Sequence, residues 1–254
     1  MKRFLTLAVA LLLTAQLIGC SLIDVGLSND VDAFQLALIE SRDRARTSNV
    51  IVETTIYMGA TRLSVLANSQ GSGVVVFEDD DFMYVLTNYH VTDRDGREHV
   101  DYTVRSRDDD SDIIAEMVHE NEAYDLSLLR VNRSAVARDV IDIFARYDDP
   151  LRRGEMVLAI GSPRKIDGIV TYGTYKRMVD IANVDFEVIL HDALIYRGSS
   201  GGALVDVSGN LVGINTWGGA ETDNNGLAIP LTKVHDFLRE AGIIASEEES
   251  NDSD

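Results

Sequence analysis

A histidine, an aspartate and a serine, met in that order along the chain, supply the groups that acyl transfer by an activated hydroxyl needs. They lie in Leu86-Thr-Asn-Tyr-His-Val91, Tyr124-Asp-Leu-Ser-Leu-Leu129 and Arg197-Gly-Ser-Ser-Gly-Gly-Ala203. A serine hydroxyl is a weak nucleophile at neutral pH. It needs a base to take its proton, and the base needs an acid to hold its tautomer. His90, Asp125 and Ser200 are the candidates for base, acid and nucleophile. Gly198, Gly201 and Gly202 let the backbone around Ser200 turn tightly, so that N–H groups can converge on a developing oxyanion. Ser199 suits the nucleophile less well, because the glycine spacing then shifts by one. Alone, a Gly-Ser run is as readily a flexible turn or linker. The apolar Ala203-Leu-Val-Asp-Val207 that follows favours a fixed turn entering a buried strand.

The elements around these residues must hold them still. His90 stands out among five histidines because it closes the apolar run Met83–Thr87, which follows Gly73–Phe77 across an acidic turn. Loops at strand ends are where a rigid scaffold presents working side chains. Asp125 abuts Leu126, Leu128 and Leu129, and an acid pressed against an apolar run needs a partner. Further β-rich runs fall at Val50–Met58, Val100–Arg105, Ile113–Val118 and Leu126–Val131. After a polar stretch come Glu155–Ile160, Ile169–Tyr175, Phe186–Leu190, Ala203–Val207 and Leu211–Thr216. So many short runs at this spacing predict antiparallel barrels. A helix is expected over Asp30–Arg46, with N-cap candidates Ser28, Asn29 and Asp30 and with Arg42, Arg44 and Arg46 at its end. A closing helix is expected over Thr232–Ile243.

Together the strings resemble the trypsin-like serine proteases, and among them the HtrA (high-temperature-requirement) branch found in bacteria. The likeness is carried by Gly71-Ser-Gly73, Leu86–Val91, the Asp-Leu-(small)-(apolar)-Leu pattern at Asp125, Gly161-Ser-Pro163, Gly198–Leu204 and Gly226-Leu-Ala-Ile-Pro230. It runs from about Val50 to Leu238. It implies an all-β, chymotrypsin-like fold of two antiparallel six-stranded barrels, with a short N-terminal and a C-terminal helix. His90 and Asp125 would lie in the first barrel and Ser200 in the second, facing a shared cleft. The implied activity is that of a serine endopeptidase, cleaving exported or unfolded polypeptides through an acyl-enzyme and needing no cofactor. The oxyanion hole would draw on the N–H groups of Gly198, Ser199 and Ser200. Six residues before the nucleophile, Leu194 would floor the side-chain pocket, with Ile195 beside it. Asn215, Thr216, Trp217, Gly218 and Gly219 would wall it, which implies cleavage after uncharged, mainly aliphatic residues. Two departures are visible. Ser199 stands where the family usually has Asn, and the PDZ domains common in HtrA proteins are not expected here. Family members are often trimers, so the resemblance also raises oligomerisation.

The first residues read as an export signal: Lys2 and Arg3, an apolar core from Phe4 to Leu17, then Leu17-Ile-Gly-Cys20. The last string resembles a bacterial lipobox, which would make Cys20, the single cysteine, the lipid-bearing N-terminus. The expected organisation is a lipoprotein signal peptide over 1–19, a tether and helix over 20–48, a protease domain over 49–244 and an acidic tail over 245–254. Acyl chains would anchor the protein to a membrane of the bacterial cell envelope, on the exported side. The formal net charge of −19 argues against nucleic acid as a partner and against electrostatic binding to anionic lipid. No His or Cys cluster suggests a metal, and the acidic runs Glu78–Asp81 and Asp108–Asp110 read as solvated turns rather than calcium loops.

Two other readings are weighed. Gly198-Ser-Ser-Gly-Gly202 matches the nucleophile elbow of α/β-hydrolases, but those enzymes run serine, acid, histidine, and only 54 residues follow Ser200 here. The second is a catalytically silent pseudoprotease, lipid-anchored, that binds peptide segments. The complete His90, Asp125 and Ser200 set argues against it.

Overall fold

The computed structural model describes residues 32–106, 109–218 and 225–245. Cys20, the signal segment, Gly219 and the tail beyond Ala245 lie outside the described residues. The chain divides into two units, 1–40 and 41–254. Of the first, the described residues 32–40 are helical and begin α1, which spans 32–47.

Two closed barrels make up the second unit. The first contains β1 (Asn49–Tyr57), β2 (Val65–Glu78), β3 (Phe82–Thr87), β4 (Val100–Ser106), β5 (Asp109–Asn121) and β6 (Leu126–Asn132). The second contains β7 (Met156–Gly161), β8 (Ile169–Val179), β9 (Val188–His191), β10 (Ala203–Asp206), β11 (Leu211–Gly218) and β12 (Gly226–Pro230). Every ladder is antiparallel. The first barrel closes in the order β1-β2-β3-β6-β5-β4, and the second, read from β7, repeats it as β7-β8-β9-β12-β11-β10. One topology is used twice, with no repeat visible in the sequence. This arrangement also removes the parallel sheet that the α/β-hydrolase reading requires.

Strand-period burial drives each closure. In the first barrel Val50 and Val52, Met83 and Val85, and Leu129 and Val131 share one core. These pairs are two residues apart, so they leave the strand on the same side. Val157 and Ala159, Ile189, Leu204, Val212 and Ala228 fill the second. Val74, Leu86 and Leu128 have no exposure either, so β2, β3 and β6 are buried on both faces where they pass the centre of the molecule. Each such side chain contributes about 1.5–3 kcal/mol when taken from water. Closing the barrels also removes sheet edges that would otherwise pair with other chains.

Three α-helical elements accompany the barrels among the described residues. The end of α1 is tied to the β10–β11 turn, where Ser41 Oγ donates to the Asp206 carbonyl at 3.3 Å and Arg44 to the Ser208 carbonyl at 3.3 Å. A single turn, α2 (Tyr89–Thr92), follows β3 where a loop was expected. The closing helix α3 (Leu231–Glu240) buries Leu231, Val234, His235, Phe237 and Leu238. It starts a residue earlier and ends three residues sooner than the sequence suggests.

One buried group gives the second barrel a pH limit. His191 on β9 has no solvent exposure. Burial pushes its pKa down from 6.5 to about 4, against the opposing pull of Asp192. The unfolded chain therefore takes up this proton at a higher pH than the folded one. The stability that His191 contributes as a neutral ring is complete above about pH 6.5 and is lost as the pH falls toward 4. That loss is on the order of 3 kcal/mol. Denaturant unfolding followed from pH 7 to pH 4 should show a smaller decline in His191→Leu than in the unsubstituted protein. Parallel declines would mean that His191 is not the group responsible.

Candidate active site

The base and acid come from neighbouring ends of the first barrel. Asn88 leaves β3 in an extended conformation and caps α2, which carries His90. Thr54 Oγ1 donates to the Val91 carbonyl at 2.8 Å and Thr92 Oγ1 to Ser127 Oγ at 2.7 Å, so the turn is pinned from β1 and β6. Asp125 sits at the start of β6 with φ of +53°, a left-handed conformation that Asp tolerates better than most residues. Asn88 Nδ2 donates to its carbonyl at 2.9 Å. Asp125 is thus held by its backbone, and its carboxylate is directed at His90.

The two side chains are in direct contact. His90 Nδ1 lies 3.0 Å and 2.9 Å from the two Asp125 carboxylate oxygens, and the His90 backbone N–H donates to Oδ1 at 3.0 Å. A carboxylate only accepts hydrogen bonds, so Nδ1 must carry the ring proton and a neutral ring presents Nε2 as an acceptor. Asp125 is only 6% exposed, and its remaining demand is met from the second barrel: Thr216 Oγ1 donates to Oδ2 at 2.6 Å.

The candidate nucleophile enters from the turn before β10. Ser200 Oγ donates to the Thr216 carbonyl at 2.9 Å. One residue of β11 therefore touches both the acid and the serine. Ser200 and His90 line the same cleft, which has a volume of about 640 Å³. Gly198 has φ of +97° and Gly201 +86°, and at Gly201 a Cβ would run into the Ser72 carbonyl and Thr87 Oγ1. In this turn the N–H of Ser199 donates to the Tyr196 carbonyl at 2.8 Å, and that of Gly201 to the Asn215 carbonyl at 2.8 Å. The N–H groups of Gly198 and Ser200 have no acceptor among the described residues. Two donors beside the hydroxyl are the arrangement that a tetrahedral oxyanion needs.

The first barrel fixes that turn. Ser72 on β2 is fully buried. Its N–H donates to the Ser200 carbonyl at 2.7 Å and its Oγ to the Gly198 carbonyl at 2.7 Å, while Oγ accepts from the Ser162 N–H at 2.7 Å. Gln70 Nε2 donates to the Ser162 carbonyl at 2.9 Å. Sequence reading marked Gly71-Ser-Gly73 only as a motif and assigned Ser72 no contact.

The residues expected around the side-chain pocket divide. Asn215 is buried and braces the serine turn, its Nδ2 donating to the Ala203 carbonyl at 2.7 Å and its N–H to the Gly202 carbonyl at 2.9 Å. Thr216 is the bridge between Asp125 and Ser200. Leu194 is 41% exposed, whereas Ile195 is 6% exposed and packs in the second core. Trp217 and Gly218 end β11, with Gly218 opposite Gly226 on β12.

This fold and site can be compared with known proteins. The model of the trypsin-like peptidase domain matches residues 71–214. The chain belongs to that family. It is 34% identical to serine protease HTRA1 of Xenopus tropicalis over 179 residues, covering 68% of this chain and 36% of that protein. It is 36% identical over 151 residues to a probable periplasmic serine endoprotease DegP-like of Brucella suis, covering 58% of this chain and 27% of the relative. The chain thus spans 36% and 27% of the length of these two curated relatives. Among solved structures, the HtrA-type protease AlgWS227A with tripeptide matches with a TM-score of 0.65 and 29% identity, over 81% of this chain and 63% of that one. The serine endoprotease from Yersinia pestis matches at 0.63 and 28%, over 80% and 66%.

Proposed function

We propose that this protein is a serine endopeptidase of the cell envelope that cleaves exported or unfolded polypeptides. The observation that carries the proposal is the pairing of His90 Nδ1 with the Asp125 carboxylate at 2.9 Å, in one cleft with Ser200, inside a trypsin-like peptidase domain. Ser200 Oγ leaves the Thr216 carbonyl, gives its proton to His90 Nε2 and attacks the peptide carbonyl. Asp125 holds the imidazolium that forms, and the N–H groups of Gly198 and Ser200 take the oxyanion. His90 then returns the proton to the leaving amine. Water attacks the acyl-enzyme by the same steps in reverse and releases Ser200.

Turnover of a denatured protein substrate, with fluorophosphonate labelling of the serine, tests these roles. Ser200→Ala and His90→Ala should each lower turnover by at least ~10⁴-fold, because the two act as a unit. Asp125→Asn should fold normally and lose on the order of 10⁴ through the wrong tautomer. Ser199→Ala should still label. Labelling and turnover that survive Ser200→Ala would refute the assignment. Labelling by no probe, with tight peptide binding, would favour the silent pseudoprotease.

Acylated Cys20 would be the membrane anchor. The periplasmic designation of the Brucella relative supports an envelope location, and the Leu17-Ile-Gly-Cys20 string supports the lipid. Cys20→Ala should release active protein into the soluble exported fraction and abolish palmitate incorporation. A soluble, unlabelled parent protein would rule the anchor out. For the residue before the cut, Ile195 and the Trp217–Gly218 segment favour uncharged, aliphatic side chains, since a cation there would find no counter-charge among them.

A further inference from the structure

The cleft beside Ser200 and His90 carries the opposite charge to the rest of the molecule. The chain has 42 acidic and 23 basic residues. Yet the charged side chains that line this cleft, His90 aside, are Arg164 and Arg197. Both are exposed, and neither forms an ion pair among the described residues, although most arginines of the first barrel do. In so acidic a chain, two unpaired guanidinium groups at one wall of the cleft are a local reversal of potential.

The backbone brings the two arginines to the same place. Arg197 immediately precedes Gly198. A Cβ on Gly198 would lie 3.1 Å from Pro163 Cα, so the segment carrying Arg164 packs on the turn carrying Arg197. Ser162, the residue before Pro163, is in turn held by Ser72 and Gln70. Arg164 itself has φ of +55° and Lys165 +62°. Two successive non-glycine residues in the left-handed region are costly and persist only where the surroundings impose them.

The reaction chemistry tells which part of a substrate reaches these groups. Ser200 attacks the carbonyl of the half that is retained as acyl. The departing half must lie next to His90, because His90 returns a proton to its nitrogen. The cleft that His90 lines is also lined by Arg164 and Arg197.

We propose that Arg164 and Arg197 form a carboxylate-recognising subsite for the departing half of the substrate, so that cleavage is favoured before segments with Asp or Glu in their first two positions. Guanidinium forks bind carboxylates in a planar, two-point geometry that suits this task. The proposal deepens the endopeptidase reading and rests on it for the direction of the peptide.

The test uses internally quenched peptides built on a mapped cut in a denatured protein. They carry Glu, Gln or Lys at the first or second position after the cut. Exposed ion pairs are worth up to about fivefold each, so Glu should exceed Gln in kcat/KM by roughly tenfold at low salt, with Lys lowest. The preference should shrink at high salt and collapse to near one in the Arg164→Gln/Arg197→Gln double variant. Arg177→Gln, outside the cleft, should leave it intact. Binding of the same peptides to Ser200→Ala, read by fluorescence anisotropy, should give the same order without turnover. Cleavage with no charge preference, or a preference that survives the double variant, overturns the subsite and leaves the endopeptidase reading standing. If the parent protein cuts no denatured protein, a Glu, Gln and Lys series on one fixed unstructured peptide replaces the quenched peptides. Charge-ordered binding lost in the double variant then upholds carboxylate recognition by the two arginines while overturning the endopeptidase reading.

Discussion

The turn that carries Ser200 depends on one buried serine that is not itself a candidate for chemistry. Ser72 belongs to the first barrel, but its N–H and Oγ hold the Ser200 and Gly198 carbonyls of the second. With the carbonyls fixed, the N–H groups of Gly198 and Ser200 have no acceptor among the described residues. The hydroxyl also takes the Ser162 N–H, so both of its capacities are used and no polar atom is stranded. Its own carbonyl accepts from Thr87 Oγ1 at 2.7 Å, which links the clamp to β3, the strand that leads into the turn carrying His90. Loss of such a group leaves several buried partners unpaired, each at about 1–3 kcal/mol.

A second crossing works in the other direction. Thr216 of the second barrel completes the hydrogen bonding of Asp125 in the first, and its carbonyl holds Ser200 Oγ. Each barrel thus supplies the restraint for the candidate reactive group of the other. Such a site cannot be built by either barrel alone, which gives a physical reason for the seam as its location. The clamp also accounts for the basic wall of the cleft. By holding Ser162 and Gly198, it sets the segments that carry Arg164 and Arg197 side by side.

The sequence reading reached the parts that are local. Apolar runs marked eleven of the twelve strands. Glycines marked the turn at Ser200, and the strings around His90, Asp125 and Ser200 carried the family resemblance. What it missed depends on long-range pairing. β12 (Gly226–Pro230) shows in the sequence only as a motif, because five residues with a central Ala228 show little period. β2 extends back to Val65, well before the apolar run at Gly73, since its first half is exposed and is held by register with β1 rather than by burial. Thr216 was read as pocket wall, and nothing in Asn-Thr-Trp reveals a hydroxyl 2.6 Å from an acid 91 residues away. Ser72 likewise looks like any small residue between two glycines.

The measurement that bears most directly on this account is peptide turnover by Ser72→Ala, read beside its thermal unfolding. If the inter-barrel clamp sets the oxyanion turn, the variant should keep two folded barrels and the His90–Asp125 pair. Its turnover should fall by roughly 100-fold, the equivalent of about 3 kcal/mol. Turnover equal to that of the unsubstituted protein, from a variant equally well folded, would contradict the dependence of the site on Ser72.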